Sequence, residues 1–402
     1  MTDISLINEC EKKIKPYFSV LEETALFNQE KVLKAFQKNK IALRHFVGTN
    51  GYGYGDEGRV ILNRLVADIF NAEDAVCSPY IASGTHAISL CLFGLLRPND
   101  SVLSITGAPY DTLQDVIYGK GTGALEDFGI KFDTIPLRES KIDKEKIKDY
   151  LLKNTPKMIY IQRSRGYEWR NAFSVADIKE MVKFIKSLNF NGCIMLDNCY
   201  GEFTEKQEPI EVGVNLLAGS MIKNFGGGLA QTGGYIAGDK KYVALVQNRM
   251  TAPSIGGEVG SYSYGYQNFY QGIFMAPHVV LQALKSAMLF SAVMTELGYD
   301  TSPKFEEIPK DIILAIKFND KNKLISFIQT IQKNSPIDSN VLPLPWEMPG
   351  YNDEVIMAAG CFVQGASIEL SADAPIRPPY IGYLQGGITY EHAKIALKNM
   401  DL

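Results

Sequence analysis

Histidine is scarce in this chain of 402 residues. The four residues, at positions 45, 86, 278 and 392, include no pair with the spacing at which a helix presents two metal ligands. No metal site is expected. Cysteine is almost as sparse. Six residues lie scattered at 10, 77, 91, 193, 199 and 361 without a C-x-x-C pair, which excludes a zinc-finger spacing and reads as reduced cytosolic thiols. Surplus positive charge is missing too. With 41 Lys and Arg against 45 Asp and Glu, the formal net charge of -4 offers no general hold on nucleic acid or an anionic membrane. No uninterrupted apolar stretch reaches the length that spans a bilayer. The first ten residues, Met1 to Cys10, lack the basic-then-apolar order of an export signal. These absences point to a cytoplasmic protein whose partners are small molecules, with no nucleic acid and no membrane.

What is present is core material: 46% of the residues are hydrophobic and 21% charged, enough for two domains or one large α/β domain with a smaller one. Residues 1–47 form an N-terminal helical segment, with helices expected at Ile4–Tyr17 and Asn28–His45. From 48 to 278, helical periodicity alternates with short apolar runs. Arg59–Phe70 and Ser174–Leu188 read as helices, the second with Ser174 as N-cap. Ser101–Thr106, Lys157–Gln162, Cys193–Asp197 and Gly233–Ala237 read as strands. This alternation is the signature of βαβ units on a mainly parallel sheet. From 279 to 402 the texture changes to helices at Val279–Leu297 and Lys321–Lys333 with strands at Lys310–Phe318, Val355–Phe362, Ser367–Leu370 and Ile381–Leu384. That pattern suits a smaller C-terminal α+β domain.

The chemistry concentrates at two positions. Asp197 ends the apolar run that starts at Cys193, and Lys223 lies between Ser220 and the glycines 226–228. Such an amine forms a Schiff base with a cofactor aldehyde once desolvation lowers its pKa. A strand-end carboxylate keeps a pyridine nitrogen protonated. The pair alone is equally open to a strand-end acid and an unconnected surface lysine. Ser83-Gly84-Thr85-His86 opens a helix after a strand, where backbone N–H groups attract a phosphate or a hydroxyl merely caps the helix. Ser220 would add a hydroxyl, and His86 reads as structural. Gly51 to Arg59 carries alternating glycines without the dinucleotide-binding spacing, so Tyr52, Tyr54 and Arg59 either present themselves to an anion or form a flexible turn. Arg163 and Arg165 stay open between an anion contact and surface charge.

Gly48-Thr-Asn-Gly-Tyr-Gly-Tyr-Gly-Asp-Glu-Gly-Arg59, Ser83-Gly-Thr-His-Ala87, Gly107-Ala-Pro-Tyr-Asp-Thr-Leu113, Ile161-Gln-Arg-Ser-Arg-Gly-Tyr167, Leu196-Asp-Asn-Cys-Tyr-Gly-Glu202, Ser220-Met-Ile-Lys-Asn-Phe-Gly-Gly-Gly228 and Ile376-Arg-Pro-Pro-Tyr380 occur in order. Together they resemble the aluminium-resistance, methionine gamma-lyase-like enzymes of the cystathionine beta-lyase superfamily, which depend on pyridoxal 5'-phosphate (PLP). The resemblance runs from about residue 40 to the C-terminus. It implies the fold-type-I architecture: an α/β protein with a large doubly wound, mainly parallel sheet and a small C-terminal α+β domain, as a homodimer or homotetramer with shared active sites. It implies a carbon–sulfur lyase that releases a keto acid, ammonia and a thiol from a sulfur amino acid by β- or γ-elimination. An aminotransferase, or a PLP-binding protein with little catalysis, is the alternative on the same scaffold. By this resemblance Lys223 binds the cofactor aldehyde and Asp197 faces its ring nitrogen. Ser83, Gly84, Thr85 and Ser220 hold the phosphate, and Tyr110 stacks on the ring. Tyr54 and Arg59 reach the neighbouring subunit's phosphate, and Arg377 binds the substrate carboxylate. One departure stands out: these lyases usually carry Ser-x-Thr-Lys where this chain has Ser220-Met-Ile-Lys223.

Overall fold

A computed structural model describes residues 2–400. Among them are ten α-helices: α1 (Ile4–Lys38), α2 (Glu57–Phe70), α3 (Gly84–Leu95), α4 (Asp111–Tyr118), α5 (Lys144–Lys153), α6 (Val175–Ser187), α7 (Lys240–Met250), α8 (Gln267–Glu296), α9 (Lys321–Lys333) and α10 (Tyr390–Lys398). Twelve strands alternate with them: β1 (Asp74–Ser78), β2 (Ser101–Ser104), β3 (Lys131–Thr134), β4 (Met158–Gln162), β5 (Cys193–Asp197), β6 (Leu216–Ser220), β7 (Gly234–Gly238), β8 (Asp300–Ser302), β9 (Ile313–Lys317), β10 (Val355–Ala358), β11 (Ser371–Pro375) and β12 (Ile381–Gln385).

Strands β4, β5, β6 and β7 are buried at every position, as their continuous apolar runs require for a sheet covered on both faces. They belong to a seven-stranded sheet of order β1-β7-β6-β5-β4-β2-β3, in which β7 alone runs antiparallel to its neighbours. The chain leaves β1, β2, β5 and β6 toward the same edge, so the loops after these strands gather at one crevice. The second sheet, β10-β11-β12-β9-β8, is antiparallel throughout. Its side chains alternate: Ala372, Ala374, Leu384, Leu314 and Ile316 join the large core, while the other face turns toward the crevice. The fold is the expected one, a large mainly parallel sheet with a smaller antiparallel domain.

Three elements depart from the sequence expectations. The two N-terminal helices are one, because Ile7, Cys10, Ile14, Leu21, Val32 and Ala35 keep a single buried stripe straight past Pro16. Helix α8 begins upstream of the expected Val279, passes Pro277, and so crosses the boundary drawn at 278/279 without a break. By length and composition α8 would cross a membrane, but 72% of its most apolar window is buried inside the protein, as befits a core helix. The strand expected at Ser367–Leu370 lies instead at Ser371–Pro375, where alternation of small apolar residues with Asp373 suits a sheet having one face on the core.

Candidate active site

The four loops at the crevice bring Ser83, Gly84, Thr85, Tyr110, Asp197, Ser220 and Lys223 to the wall of one cavity of about 270 Å³. Ser83 caps α3, its hydroxyl accepting from the His86 N–H at 3.0 Å. The His86 ring accepts from the Ala82 N–H at 3.0 Å, which makes it a local structural residue. Gly84 follows at the first helical position. A Cβ built there would stand 3.0 Å from Cys199 Sγ and 4.0 Å from Lys223 Nζ, so glycine keeps the helix end open to the cavity. Tyr110, just before α4, donates its hydroxyl to Thr85 Oγ1 at 3.0 Å, and its N–H is held by Gln162 Oε1 at 3.0 Å. The aromatic ring is thereby fixed beside the helix end. Ser220, at the tip of β6, has a buried hydroxyl with no partner among the described residues. An unpaired buried hydroxyl is costly, and a ligand oxygen would satisfy it.

Lys223 is half-buried, with its Nζ over the face of Tyr200, 4.0 Å from the ring centroid. Tyr200 holds a φ of +71°, an uncommon strain for a bulky residue, and its hydroxyl lies 3.3 Å from Ser367 Oγ. Asp197 Oδ1 accepts from the Cys199 N–H at 3.0 Å. Burial pushes the Asp197 carboxyl up, opposed first by the Lys223 charge. For Lys223, burial acts to lower the pKa, as the sequence argument supposed. Cys199, Tyr200, Asp197 and Tyr110 overturn that effect and hold the ammonium well above the usual lysine range.

A phosphorylated pyridine aldehyde fits these groups. The cavity offers an amine for the aldehyde, a carboxylate for a ring nitrogen and a tyrosine ring beside them. For an anion it offers a helix N-terminus with hydroxyls, one of them unpartnered.

Three expected residues lie elsewhere in this chain. Tyr54 is 70% exposed and packs on Tyr52. Arg59 turns inward, giving its guanidinium to the carbonyls of Gly53, Gly257, Glu258 and Val259, which ties the glycine–tyrosine segment to the loop before α8. Arg377 is not on the cavity wall and pairs with Asp353 at 2.8 Å. Arg163 and Arg165 are not surface charge. Both are buried; Arg163 bonds Asn198, Gly201 and Glu205, and Arg165 bonds Ser302. The cavity also contains residues the sequence reading did not select: Cys199, Tyr200, Tyr167, Tyr351, Asp373, Tyr383 and Gln385. Tyr167, Cys199 and Tyr200 stood inside the recognised motifs. Asp373 was hidden by the misplaced strand.

The family model described as methionine gamma-lyase matches residues 3–401. The chain belongs to the methionine gamma-lyase family. It is 48% identical over 393 residues to the uncharacterized protein YnbB of Bacillus subtilis, covering 97% of this chain and 93% of that one. A Listeria innocua structure, provisionally named a cystathionine beta-lyase involved in aluminum resistance, is 50% identical with a TM-score of 0.96, covering 100% of this chain and 99% of that one. A Clostridium novyi structure named a carbon-sulfur lyase involved in aluminum resistance is 47% identical with a TM-score of 0.95, covering 99% and 94%. More distant proteins share the fold. Escherichia coli YhfS, a pyridoxal-5'-phosphate dependent protein, is 16% identical with a TM-score of 0.62, covering 94% and 96%.

Proposed function

We propose that this family member is a PLP-dependent carbon–sulfur lyase that eliminates a thiol from a sulfur-containing amino acid, leaving a keto acid and ammonia. The observation that carries the reading is the meeting of Lys223, Asp197 and Tyr110 with the open end of α3 and the unpartnered Ser220 hydroxyl in one cavity. The names given to the Listeria and Clostridium relatives agree with it.

When bound, PLP supplies an electron sink for negative charge at the substrate α-carbon. Ser83, Gly84, Thr85 and Ser220 hold its phosphate through hydroxyls and the N–H groups of α3. Asp197 would keep a proton on the ring nitrogen, and Tyr110 would lie beside the ring. Lys223 would hold the aldehyde through its Nζ, and the same amine, once free, would move a proton at the substrate α-carbon. Burial, with the charge of Asp197, pushes the Tyr110 phenol well above its ordinary range, so it keeps its proton and donates to Thr85. Tyr54 and Arg59 serve the neighbouring subunit of a homodimer or homotetramer in the cytoplasm, and Arg377 takes the substrate carboxylate once freed from Asp353.

Incubation of the holoenzyme with cysteine, cystathionine, methionine and homocysteine, followed by thiol and keto-acid assays, tests the reaction. We expect release from at least one substrate, loss of turnover in Lys223→Ala with an unchanged circular dichroism spectrum, and a pyridoxyl group on the Lys223 peptide after borohydride reduction. Full activity in the folded Lys223→Ala variant would exclude the mechanism.

A further inference from the structure

Tyr110, in the loop from β2 to α4, and Asp197, at the end of β5, reach the cavity from different strands, and one buried residue joins them. Gln162 ends β4, is 5% exposed, and lies directly beside Asp197 in the parallel ladder. The next residue continues the register, the Arg163 N–H donating to the Asp197 carbonyl at 3.2 Å. On the other side the Gln162 N–H donates to Thr106 Oγ1 at 2.9 Å. The side chain then reaches across to the next loop. Gln162 Oε1 accepts from the Tyr110 N–H at 3.0 Å, and Nε2 donates to the Ser164 carbonyl at 3.3 Å. One bond needs an acceptor and the other a donor, so the amide has a single orientation. Gly166, at a φ of +56°, closes over it: a Cβ there would stand 3.1 Å from Gln162 Nε2 and 3.8 Å from Tyr110 Cβ. Tyr110 is the N-cap of α4 and makes no side-chain cap of its own, so Gln162 is the outside partner that fixes the helix start.

We propose that Gln162 is a positioning residue that sets the spacing of Tyr110 from Asp197, so that the slot for the cofactor ring is formed before the cofactor arrives. This rests on the PLP reading above and adds to it a residue that is not on the cavity wall. A carboxylate at the edge of a ring and an aromatic group beside it act together only if their separation is held within about 0.5 Å. Two loops alone would leave that separation to loop motion. Through Gln162 it is fixed to the ladder between β4 and β5.

The test uses Gln162→Met, which keeps the length of the side chain and loses both of its bonds, together with Tyr110→Ala and the double variant. The full-length apoproteins are titrated with PLP, and the dissociation constant and the visible circular dichroism per bound cofactor are measured. Gln162→Met is expected to weaken binding about 3- to 10-fold, the range of one neutral hydrogen bond, and to reduce the ellipticity. In the Tyr110→Ala background the same substitution should have no further effect, because a residue that acts through the tyrosine ring has nothing left to place. Additive losses would overturn the proposal, since a glutamine with a purely structural role weakens both proteins equally. Unchanged affinity and ellipticity in Gln162→Met would overturn it as well. The wild-type protein offers a check without variants: hydrogen exchange of the apoprotein should show a protected amide at Tyr110 before PLP is added. Fast exchange there that slows only with the cofactor would mean that the slot is not formed in advance, against the proposal. A wild-type protein that does not bind PLP would remove the cofactor reading and this inference together. PLP binding with the expected cycle but no thiol release would sustain the role of Gln162 and remove the lyase reading alone.

Discussion

Behind Lys223 lies a carboxylate that the proposed chemistry does not touch. Glu202 is buried, its Oε1 accepts from the Tyr235 hydroxyl at 2.6 Å, and its Oε2 has no partner. Burial raises its pKa to about 8, against the lesser pull of Tyr235 and Lys223. The sign follows directly. An acid protonated in the folded state and ionised in the unfolded state binds more protons when folded, so stability falls as pH rises from the unfolded value near 4.5 through about 8. Glu202→Gln keeps the acceptor for Tyr235 and removes the titration. Its urea-derived stability should lose a slope of at most about 1.4 kcal/mol per pH unit across that window. A wild-type stability that is flat over the window would refute this account of Glu202. At this scale the sequence was informative wherever residue type and motif coincide, as for Lys223, Asp197, Ser83 and Tyr110. It could not give the surroundings of Lys223, because Tyr200 comes to lie under the amine only through the fold of its own loop.

Helix α1 carries an interaction that its periodicity does not foretell. Asn28 is fully buried on the apolar stripe and donates through Nδ2 to the carbonyls of Phe203 and Glu205, at 3.1 and 3.0 Å. Those carbonyls belong to the segment running from Asp197 to β6, so α1 braces the floor of the cavity from behind. Asn28→Ala leaves both unpaired and should lower unfolding stability by about 1–3 kcal/mol in urea titrations. A loss under ~0.5 kcal/mol would mean that the brace is unimportant. Element boundaries were legible where local chemistry dictates them. Ser174 and Asp177 form a capping box at the start of α6, and α9 spans the residues that its pattern predicts. Strand β11 was not legible because its short run of small residues carries little hydrophobic signal. Its register comes from pairing with β10 and β12.

Across the whole molecule the two sheets are joined by buried charge as well as by α8. Arg165, just beyond β4, donates to the backbone and hydroxyl oxygens of Ser302 at the end of β8, at 2.7 and 3.0 Å. Asp311 is buried close by, and its carboxyl is pushed up by burial while the Arg165 charge restrains it. Arg165→Met would leave that acid uncompensated. The expected loss is about 3–5 kcal/mol, with the small domain melting first as a separate urea transition. A single transition at the wild-type midpoint would contradict this coupling. Length, charge and the alternation of helical and apolar runs were sufficient for an α/β protein with a smaller second domain, because those patterns follow from local periodicity and solvent exclusion. The motifs likewise singled out Lys223, Asp197 and Ser83, which folding brings to one cavity. Only the tertiary structure decided that Arg163 is spent on the chain's own polar groups, that Arg59 bonds the carbonyls of its own loop and of the loop before α8, that Arg377 pairs with Asp353, and that Asp373 faces the cavity. A charged side chain can be satisfied by any partner that folding brings near, and such partners are set by sheet register and loop packing far away in sequence.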